Sequence, residues 1–360
     1  MSLTPDYYTL RRRVMIIADK DKSLLNRLKV RYLIQGLFLL WVFLMAFQFR
    51  AFVLSLSDPL GTPMAYRPPS VEAFLPISSL MSFTYFVKTG IANQVHPAGL
   101  VIFSLTLIGA VVIRNGFCSW VCPIGSISEM IYKLGRKVFG RNLSLPLWLD
   151  RGLRGIKYFL LAFFLYIILP MSAGDLRGFI HGPYNRIADV KLYFFFSHIS
   201  TLAFVIIMTL VFSSLFIKHF WCRYGCPYGA LLGLLSRISP FHIQRKADRC
   251  LSCGSCDRSC PNSIAVSQLT HIRSEECRAC FSCLEACPRP NVLNFGTGPI
   301  LRTVPKAVYA LVILLIFLGL PLVFSALGYW ESETPMFVYR HLFQILTQIG
   351  HPSVSGPGTG

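Results

Sequence analysis

Five long stretches of the chain contain no Asp, Glu, Lys or Arg, and this feature limits the fold more than any other. They have 17 to 26 residues, whereas a helix needs about 20 apolar residues to cross a bilayer. Backbone polar groups in lipid must be paired within the segment, so these stretches are expected to be helices. The predicted spans are residues 32–49, 97–113, 158–174, 192–217 and 307–330.

Composition agrees with a membrane protein. Only 14% of the residues are charged, against about 25% in soluble proteins. A sixth stretch without charge between its ends, residues 73–87, is short for a span and contains Pro76. It is predicted to be a helix lying in the membrane interface.

The basic residues indicate the orientation. The chain has 35 Lys and Arg against 16 Asp and Glu. If the N-terminus is cytoplasmic, segments 1–31, 114–157 and 218–306 are inside and hold 28 of the 35. Cytoplasmic loops favour Lys and Arg, so a multi-pass inner-membrane protein with its C-terminus in the periplasm is predicted. No cleavable signal peptide is expected, and the positive charge is assigned to topology and membrane lipids, with no nucleic acid as partner.

All twelve cysteines fall on the predicted inner side. Because the cytosol is reducing, metal or redox chemistry is favoured over disulfides. Eight of them form two copies of the run Cys-x-x-Cys-x-x-Cys-x-x-x-Cys-Pro, at 250–261 and 277–288. Two-cluster bacterial ferredoxins use this run. A zinc ribbon is disfavoured because it has two Cys-x-x-Cys pairs instead.

The run also predicts which cysteines share a cluster. One loop supplies three ligands, and the fourth cysteine of each run ligates the other cluster. Two [4Fe–4S] clusters are therefore predicted. Cluster one takes Cys250, Cys253, Cys256 and Cys287, and cluster two takes Cys277, Cys280, Cys283 and Cys260.

The remaining cysteines form a second repeat, Cys-x-x-x-Cys-Pro-x-Gly, which follows the second and fourth predicted spans. The pairs are Cys118 with Cys122 and Cys222 with Cys226. Positions i and i+4 share one face of a helix, so the pairs are predicted to converge on a four-sulfur site, with His219 as an extra candidate ligand. Free structural cysteines, a redox-active dithiol, and bound Cu(I), zinc or an iron–sulfur cluster all remain open.

Histidines at the predicted outer surface mark a candidate quinone site. His96 and His198 take similar positions in the two halves of the repeat, and ionisable groups at membrane depth are candidate functional groups. Haem ligation and simple contact with lipid headgroups are the alternatives. The candidate quinone residues are His96, His198, Asp175, Arg177 and His181.

The order of the twelve cysteines over about residues 30–300 resembles the NapH/MauN-type polyferredoxins, which are membrane ferredoxin-type 4Fe-4S proteins. NosR and CcoG are more distant relatives. The resemblance implies an integral membrane electron-transfer protein that takes electrons from quinol and serves a periplasmic reductase or a maturation system. This chain differs in having a fifth span and a tail, and no large domain before residue 32.

The predicted fold is a mainly α integral membrane protein with five transmembrane helices and a cytoplasmic two-cluster ferredoxin-like α+β insertion. The predicted segments are a basic N-terminal arm at 1–31, a membrane domain at 32–240, the ferredoxin-like segment at 241–300, a fifth transmembrane helix at 301–330 and an outer tail at 331–360.

The predicted function is an electron relay between the quinol pool and another redox subunit of a respiratory complex. The sequence shows no side-chain nucleophile or acid–base pair, so an electron-transfer subunit is favoured over a self-contained enzyme. One alternative is a membrane reductase or maturation factor for the metal or cofactor of another enzyme. A second alternative is a membrane scaffold whose clusters are structural.

Overall fold

A computed structural model describes residues 30–57, 66–143, 145–297 and 303–350 of the chain. Nearly all of the predicted basic arm and the last ten residues of the predicted tail lie outside the described residues. The chain divides into two compact units. The cysteine unit, which contains all twelve cysteines, is built from Met1–Leu39, Thr106–Leu161 and Leu210–Ile316. The second unit is built from Leu40–Leu105, Ala162–Thr209 and Phe317–Gly360.

The structure is mostly helical. In chain order the α-helices are α1 (Val30–Leu56), α2 (Pro76–Thr89), α3 (Pro97–Ile113), α4 (Phe117–Trp120), α5 (Pro123–Phe139), α6 (Leu147–Ile168), α7 (Ala173–His181), α8 (Pro183–Arg186), α9 (Ala188–Ser197), α10 (Thr201–Phe216), α11 (Pro227–Ser236), α12 (Ser255–Ser259), α13 (Ser282–Ala286), α14 (Lys306–Leu314), α15 (Leu320–Ala326) and α16 (Met336–Gln344). The strands are β1 (His242–Arg245), β2 (His271–Ile272) and β3 (Leu293–Gly296).

Two helical segments in the described ranges are long and apolar enough to cross a membrane by themselves: α1, and Lys306–Ala326, which joins α14 and α15. Two further spans are present if each of two bent helix pairs counts as one. The pairs are α6 with α7, bent by 103°, and α9 with α10, bent by 80°. Helix α3 is apolar but has only 17 residues. The count of five spans therefore stays a prediction.

The third and fourth predicted spans are not continuous helices, which corrects the sequence prediction. Helix α6 ends at Ile168, and α7 begins after Ser172, whose Oγ accepts from the backbone N–H of Asp175. Helix α9 ends at Ser197, and the Oγ of Ser200 accepts from the N–H of Ala203 at the start of α10. Serine side chains satisfy the free N–H groups at a helix start, so these apolar stretches contain new helix beginnings.

Long apolar side chains are exposed along the helices. On α1, Leu33, Trp41 and Phe43 are 57–65% exposed. A monomeric soluble protein rarely exposes a continuous apolar surface of this kind, and a bilayer covers it. The apolar helices thus indicate a membrane protein. Residues 73–87, predicted to form an interfacial helix, fall largely on α2, and their depth in the membrane stays a prediction.

The predicted ferredoxin-like segment contains a three-stranded antiparallel sheet with the order β2-β1-β3. Ile243, at the centre of β1, pairs with Ile272 on one side and Phe295 on the other. All three side chains are buried. Phe281, which follows Cys280, packs edge-on against Phe295 with ring centroids 5.0 Å apart. The sheet therefore anchors the second cysteine loop through apolar packing.

Candidate metal centres and buried charges

The two ferredoxin-type loops adopt matching backbone conformations. Ser252 and Gly254 in the first loop have positive φ angles, and so do Ala279 and Phe281 at the corresponding places in the second. Left-handed residues turn the chain sharply, and residues other than glycine rarely adopt them. Both loops thus curl in the same way around their first cysteines. A one-turn helix, α12 or α13, then carries the third cysteine and ends at the fourth, immediately before proline.

The eight ferredoxin-type cysteines line two separate cavities. One is lined by Cys250, Cys253, Cys256 and Cys287. The other is lined by Cys260, Cys277, Cys280 and Cys283. Each cavity thus takes three cysteines from one run and the fourth from the other. This is the grouping that the predicted cluster assignment requires, and the assignment itself stays a prediction.

The donor sets suit iron–sulfur clusters. Burial raises the pKa of Cys256 to about 11 and that of Cys260 to about 12, so a bound cation is needed to hold these sulfurs as thiolates. The backbone N–H of Ile264 donates to Cys260 Sγ at 3.4 Å. Among the described residues no three His, Cys, Asp or Glu side chains converge closely enough for a single metal ion. Four cysteines line each cavity, and soft thiolates are the ligands that iron–sulfur clusters use.

The two CxxxCP pairs are positioned differently from the sequence expectation. Each pair was expected on one continuous helix. Instead, Cys118 lies on α4 and Cys122 is the residue before α5, while Cys222 lies in a π-helical turn and Cys226 precedes α11. The proline after each second cysteine has no N–H to continue the preceding helix, so it begins the next one. The second cysteine of each pair consequently lies at a helix N-terminus, whose dipole favours a thiolate.

Cys118, Cys122, Cys222 and Cys226, called here the four-cysteine site, come close enough to interact electrostatically. The charge of either cysteine from the second pair would act on both cysteines of the first pair. Burial raises the pKa of Cys118 to about 12 and also raises that of Cys222. The four-sulfur site predicted from the repeat is thus compatible with the geometry, although its occupant stays a prediction. His219 is buried, and its ring packs on Tyr132 with centroids 5.0 Å apart.

The second ferredoxin-type loop contacts both CxxxCP motifs. Ser119 Oγ donates to the carbonyl of Arg278 at 2.6 Å, and Trp120 Nε1 donates to that of Ala279 at 3.0 Å. Arg278 in turn donates through Nη2 to the carbonyl of Cys222 at 2.7 Å. These bonds hold the loop that carries Cys277 and Cys280 directly against the four-cysteine site. The spacing of the motifs did not indicate this contact.

The second unit contains a buried network of charges. Arg67 donates through Nε to Asp189 at 2.6 Å and through Nη1 to Glu72 at 2.8 Å. His96 lies beside the same carboxylate, with Nδ1 3.3 Å from Glu72 Oε1, and its Nε2 donates to the carbonyl of Asn185 at 2.7 Å. Burial alone would raise the pKa of Glu72, but Arg67 and His96 overcome this effect and lower it.

A cavity of about 320 Å³ adjoins Arg67. Its lining residues are Phe52, Tyr66, Arg67, Pro69, Ser332, Thr334, Met336 and Tyr339. Tyr339 also donates to Asp189 at 3.5 Å, so the cavity wall is part of the charged network. The site residues predicted from the sequence did not include Arg67, Glu72, Asp189 or Tyr339. One feature of the sequence could have drawn attention to Arg67: it is among only three Lys or Arg residues between positions 50 and 96.

The other four candidate quinone residues lie on the surface. His198, Asp175, Arg177 and His181 are all exposed. Asp175 caps α7 together with Ser172, and the His198 ring stacks on Phe194 with centroids 5.5 Å apart. Of the five candidates, the structure thus places only His96 in the buried network.

Protein-family models match the parts of the chain that contain these sites. A model described as "4Fe-4S binding domain" matches the chain twice, at residues 95–142 and 198–246, and each match contains one CxxxCP motif. A "4Fe-4S dicluster domain" matches residues 242–288, which contain all eight ferredoxin-type cysteines. The Escherichia coli K12 protein named "Putative electron transport protein YccM" is 39% identical over 298 residues, which are 81% of this chain and 83% of that protein. The chain belongs to the NapH/MauN-type family of ferredoxin-type electron transport proteins.

Further relatives carry the names of the family. The methylamine utilization ferredoxin-type protein MauN of Methylobacillus flagellatus is 26% identical over 57% of this chain and 66% of its own. The ferredoxin-type protein NapH of Haemophilus influenzae is 27% identical over 48% of this chain and 59% of its own. The regulatory protein NosR of Pseudomonas aeruginosa, a distant relative, matches over 26% of its length. No solved structure matches the chain. The resemblance to this family is thus confirmed.

Proposed function

We propose that this ferredoxin-type electron transport protein relays single electrons between membrane quinol and a partner redox subunit of a respiratory complex. The observation that carries the proposal is the crossed grouping of the eight ferredoxin-type cysteines around two cavities. One [4Fe–4S] cluster in each cavity supplies the one-electron chemistry, while hydrogen bonds to sulfur and burial adjust its potential. Cys118, Cys122, Cys222 and Cys226 would hold a further metal or cluster that extends the relay.

The rim of the first cavity suits an acidic redox partner. Arg245 and Arg289 line this cavity together with its cysteines. Complementary charges mainly raise the rate at which two proteins meet and fix their orientation. A partner with a carboxylate-rich face would therefore dock near cluster one. The excess of Lys and Arg in the predicted inner segments supports placing this face in the cytoplasm and the C-terminus in the periplasm.

The best-supported quinol site is the 320 Å³ cavity beside the charged network. It combines apolar walls with the Arg67 guanidinium and the hydroxyl groups of Tyr66 and Tyr339, a pattern common in small-molecule sites. Glu72 lies 2.8 Å from Arg67 Nη1, and His96 Nδ1 lies 3.3 Å from the same carboxylate, so the guanidinium that lines the cavity is tied to both groups. Of the five residues predicted to bind quinone, only His96 belongs to the proposed site. Residues around the cavity take the place of the other four.

A pair of variants on α16 tests this site. Met336→Trp fills the cavity, whereas Phe337→Trp changes the next residue, which is 73% exposed and does not line it. Binding of a photoreactive quinone to the purified protein should weaken at least tenfold in Met336→Trp and stay unchanged in Phe337→Trp. Equal binding by both variants would exclude this cavity as the quinol site.

The relay itself is tested by anaerobic purification, metal and sulfide analysis, and EPR during titration with a quinol analogue. Two [4Fe–4S] clusters correspond to about eight irons per chain, and quinol should reduce them. Clusters that respond to dithionite but not to quinol would contradict direct quinol oxidation. Stoichiometric copper at the four-cysteine site would instead favour a reductase or maturation factor for another enzyme.

A further inference from the structure

Arg278 is a buried arginine between Cys277 and Cys280 of the second ferredoxin-type run. Its Nη2 donates to the carbonyl of Cys222. Its Nη1 is also buried, and it has no hydrogen-bond partner within the part of the chain that the structure describes. A buried guanidinium with an unused N–H is strongly unfavourable unless an anion lies beside it.

One carboxylate that acts on Arg278 is shared with a lysine. Glu276 acts on Arg278 electrostatically, but its Oε1 lies 2.6 Å from Lys157 Nζ, and both of these side chains are at most 3% exposed. The other groups whose charge would act on Arg278 are three sulfurs of the four-cysteine site, those of Cys118, Cys222 and Cys226. The guanidinium and these sulfurs are therefore the natural charge partners.

The charge and the spacing of the site restrict its occupant. An iron–sulfur cluster held by four thiolates would carry a net negative charge next to the buried guanidinium of Arg278, which is already bonded to the Cys222 carbonyl. A single zinc ion requires sulfurs at about 2.3 Å from one point, and the described residues contain no group of three such ligands. In an iron–sulfur cluster each thiolate binds its own iron, so the sulfurs stand farther apart.

We propose that the four-cysteine site holds an anionic iron–sulfur cluster and that Arg278 is its buried counter-charge, which also links this cluster to cluster two. The inference rests on the proposed electron relay. Ser119 and Trp120 hydrogen-bond to the backbone carbonyls of Arg278 and Ala279. These bonds hold the Arg278 segment in place between the four-cysteine site and cluster two. The sequence offers no second arginine of this kind inside the first run, where Leu251 occupies the equivalent position.

The linkage has a specific redox signature. Reduction adds one electron, supplied by dithionite in a titration, and therefore one negative charge to a cluster, with no bond broken and no proton required. A nearby positive charge stabilises the reduced form. Loss of the Arg278 charge should thus lower the potentials of the four-cysteine cluster and of cluster two, and leave that of cluster one unchanged.

The test uses the full-length protein, purified anaerobically and titrated with dithionite under EPR. Arg278→Gln removes the charge, Arg278→Lys keeps it, and Arg273→Gln is the control on an exposed arginine of the same segment. Arg278→Gln should lower the equilibrium constant for reduction at least tenfold in the four-cysteine cluster and in cluster two. A tenfold change corresponds to about 59 mV for one electron. The Lys variant should restore most of this loss, and the variant at 273 should match the parent.

A further variant separates charge from position. Trp120→Phe removes the hydrogen bond to the Ala279 carbonyl but leaves the charge, so its shift should be much smaller than that of Arg278→Gln. Equal shifts in these two variants, or a shift of cluster one in Arg278→Gln, would overturn the counter-charge. If Arg278→Gln does not accumulate, the Lys variant decides alone, because equilibrium constants for reduction that differ tenfold or more from the parent, about 59 mV, would refute the role.

Iron content distinguishes this inference from the proposed relay. About twelve irons per chain are expected for three clusters. About eight irons, with the four-cysteine thiols open to alkylation, would refute the third cluster and leave the two-cluster relay standing. Fewer than eight irons in a folded protein would contradict the relay itself.

Discussion

The glycines that follow the two CxxxCP motifs provide the sharpest test of the geometry. Gly125 and Gly229 occupy the same place in the repeat, each as the third residue of its helix. A Cβ atom on Gly125 would lie 2.1 Å from the backbone carbonyl oxygen of Cys118. A Cβ atom on Gly229 would have its nearest neighbours at 3.6 Å, an ordinary contact. The same substitution should therefore have opposite effects.

The magnitudes follow from packing and helix propensity. Alanine in place of a helical glycine stabilises by roughly 0.5–1 kcal/mol, so Gly229→Ala should be neutral or slightly stabilising. At Gly125 the carbonyl of Cys118 must move by about an ångström, and overpacking of this kind costs about 1–3 kcal/mol. The propensity gain is common to both variants, so they should differ by the overpacking cost of about 1–3 kcal/mol, or roughly 5- to 140-fold in an equilibrium constant.

The assay is thermal loss of cluster absorbance in the full-length protein in detergent, together with total iron. Gly125→Ala should lose absorbance at a clearly lower temperature and carry less iron, because the displaced carbonyl belongs to a proposed cluster ligand. Gly229→Ala should follow the parent. Equal behaviour of the two variants would show that Cys118 does not approach α5 as described.

Three further predictions concern the cysteine unit. Cys260→Ser should remove one ferredoxin-type cluster and keep the other, with iron analysis and EPR as the readout. Lys157→Met leaves the buried carboxylate of Glu276 unpaired and should cost about 3–5 kcal/mol, seen as a lower midpoint of thermal unfolding. Burial alone would raise the pKa of Glu129, but Arg31 overcomes it and holds the pKa far below the usual 4.5. Its stabilisation is therefore complete above pH 4.5 and is lost as the pH falls through the folded pKa, so Glu129→Gln should flatten the acid side of the stability profile.

Matched variants sharpen each of these outcomes. The spectrum of Cys260→Ser should equal that of Cys280→Ser, and equality with Cys253→Ser instead would reverse the cluster assignment. Arg237→Met breaks an exposed pair at 4.0 Å, so its cost should be below about 1 kcal/mol. The control for Glu129→Gln is Glu285→Gln, which changes a carboxylate that is 41% exposed. It should leave the dependence of stability on acid pH nearly unchanged.

The cluster ligands and the apolar helices could be predicted because both depend on residues that are close together in the sequence. The ligand runs at 250–261 and 277–288 are read from spacing alone, because a cluster needs cysteines at set intervals along one loop. Apolar stretches likewise predicted helices, since lipid leaves the backbone no other partner. The breaks near Ser172 and Ser200 were missed because hydropathy does not register a serine that begins a new helix.

The arrangement of the CxxxCP pairs shows how a local rule can be applied wrongly. Cys118 and Cys122 are four residues apart, and this spacing alone predicted that they share one helical face. Pro123 prevents this, because it lacks the N–H that would continue the preceding helix. This feature was present in the sequence, and proline chemistry would have predicted the helix break correctly.

Only the tertiary structure could show which charged residues are buried together. Arg67 and Asp189 are separated by 122 positions in the chain, and Lys157 and Glu276 by 119. No local pattern relates such residues, since each pair exists only because folding excludes water from both partners at once. Arg278 combines both cases. Its place between Cys277 and Cys280 is visible in the sequence, but its approach to three cysteines that are distant in the chain depends on how the loop packs.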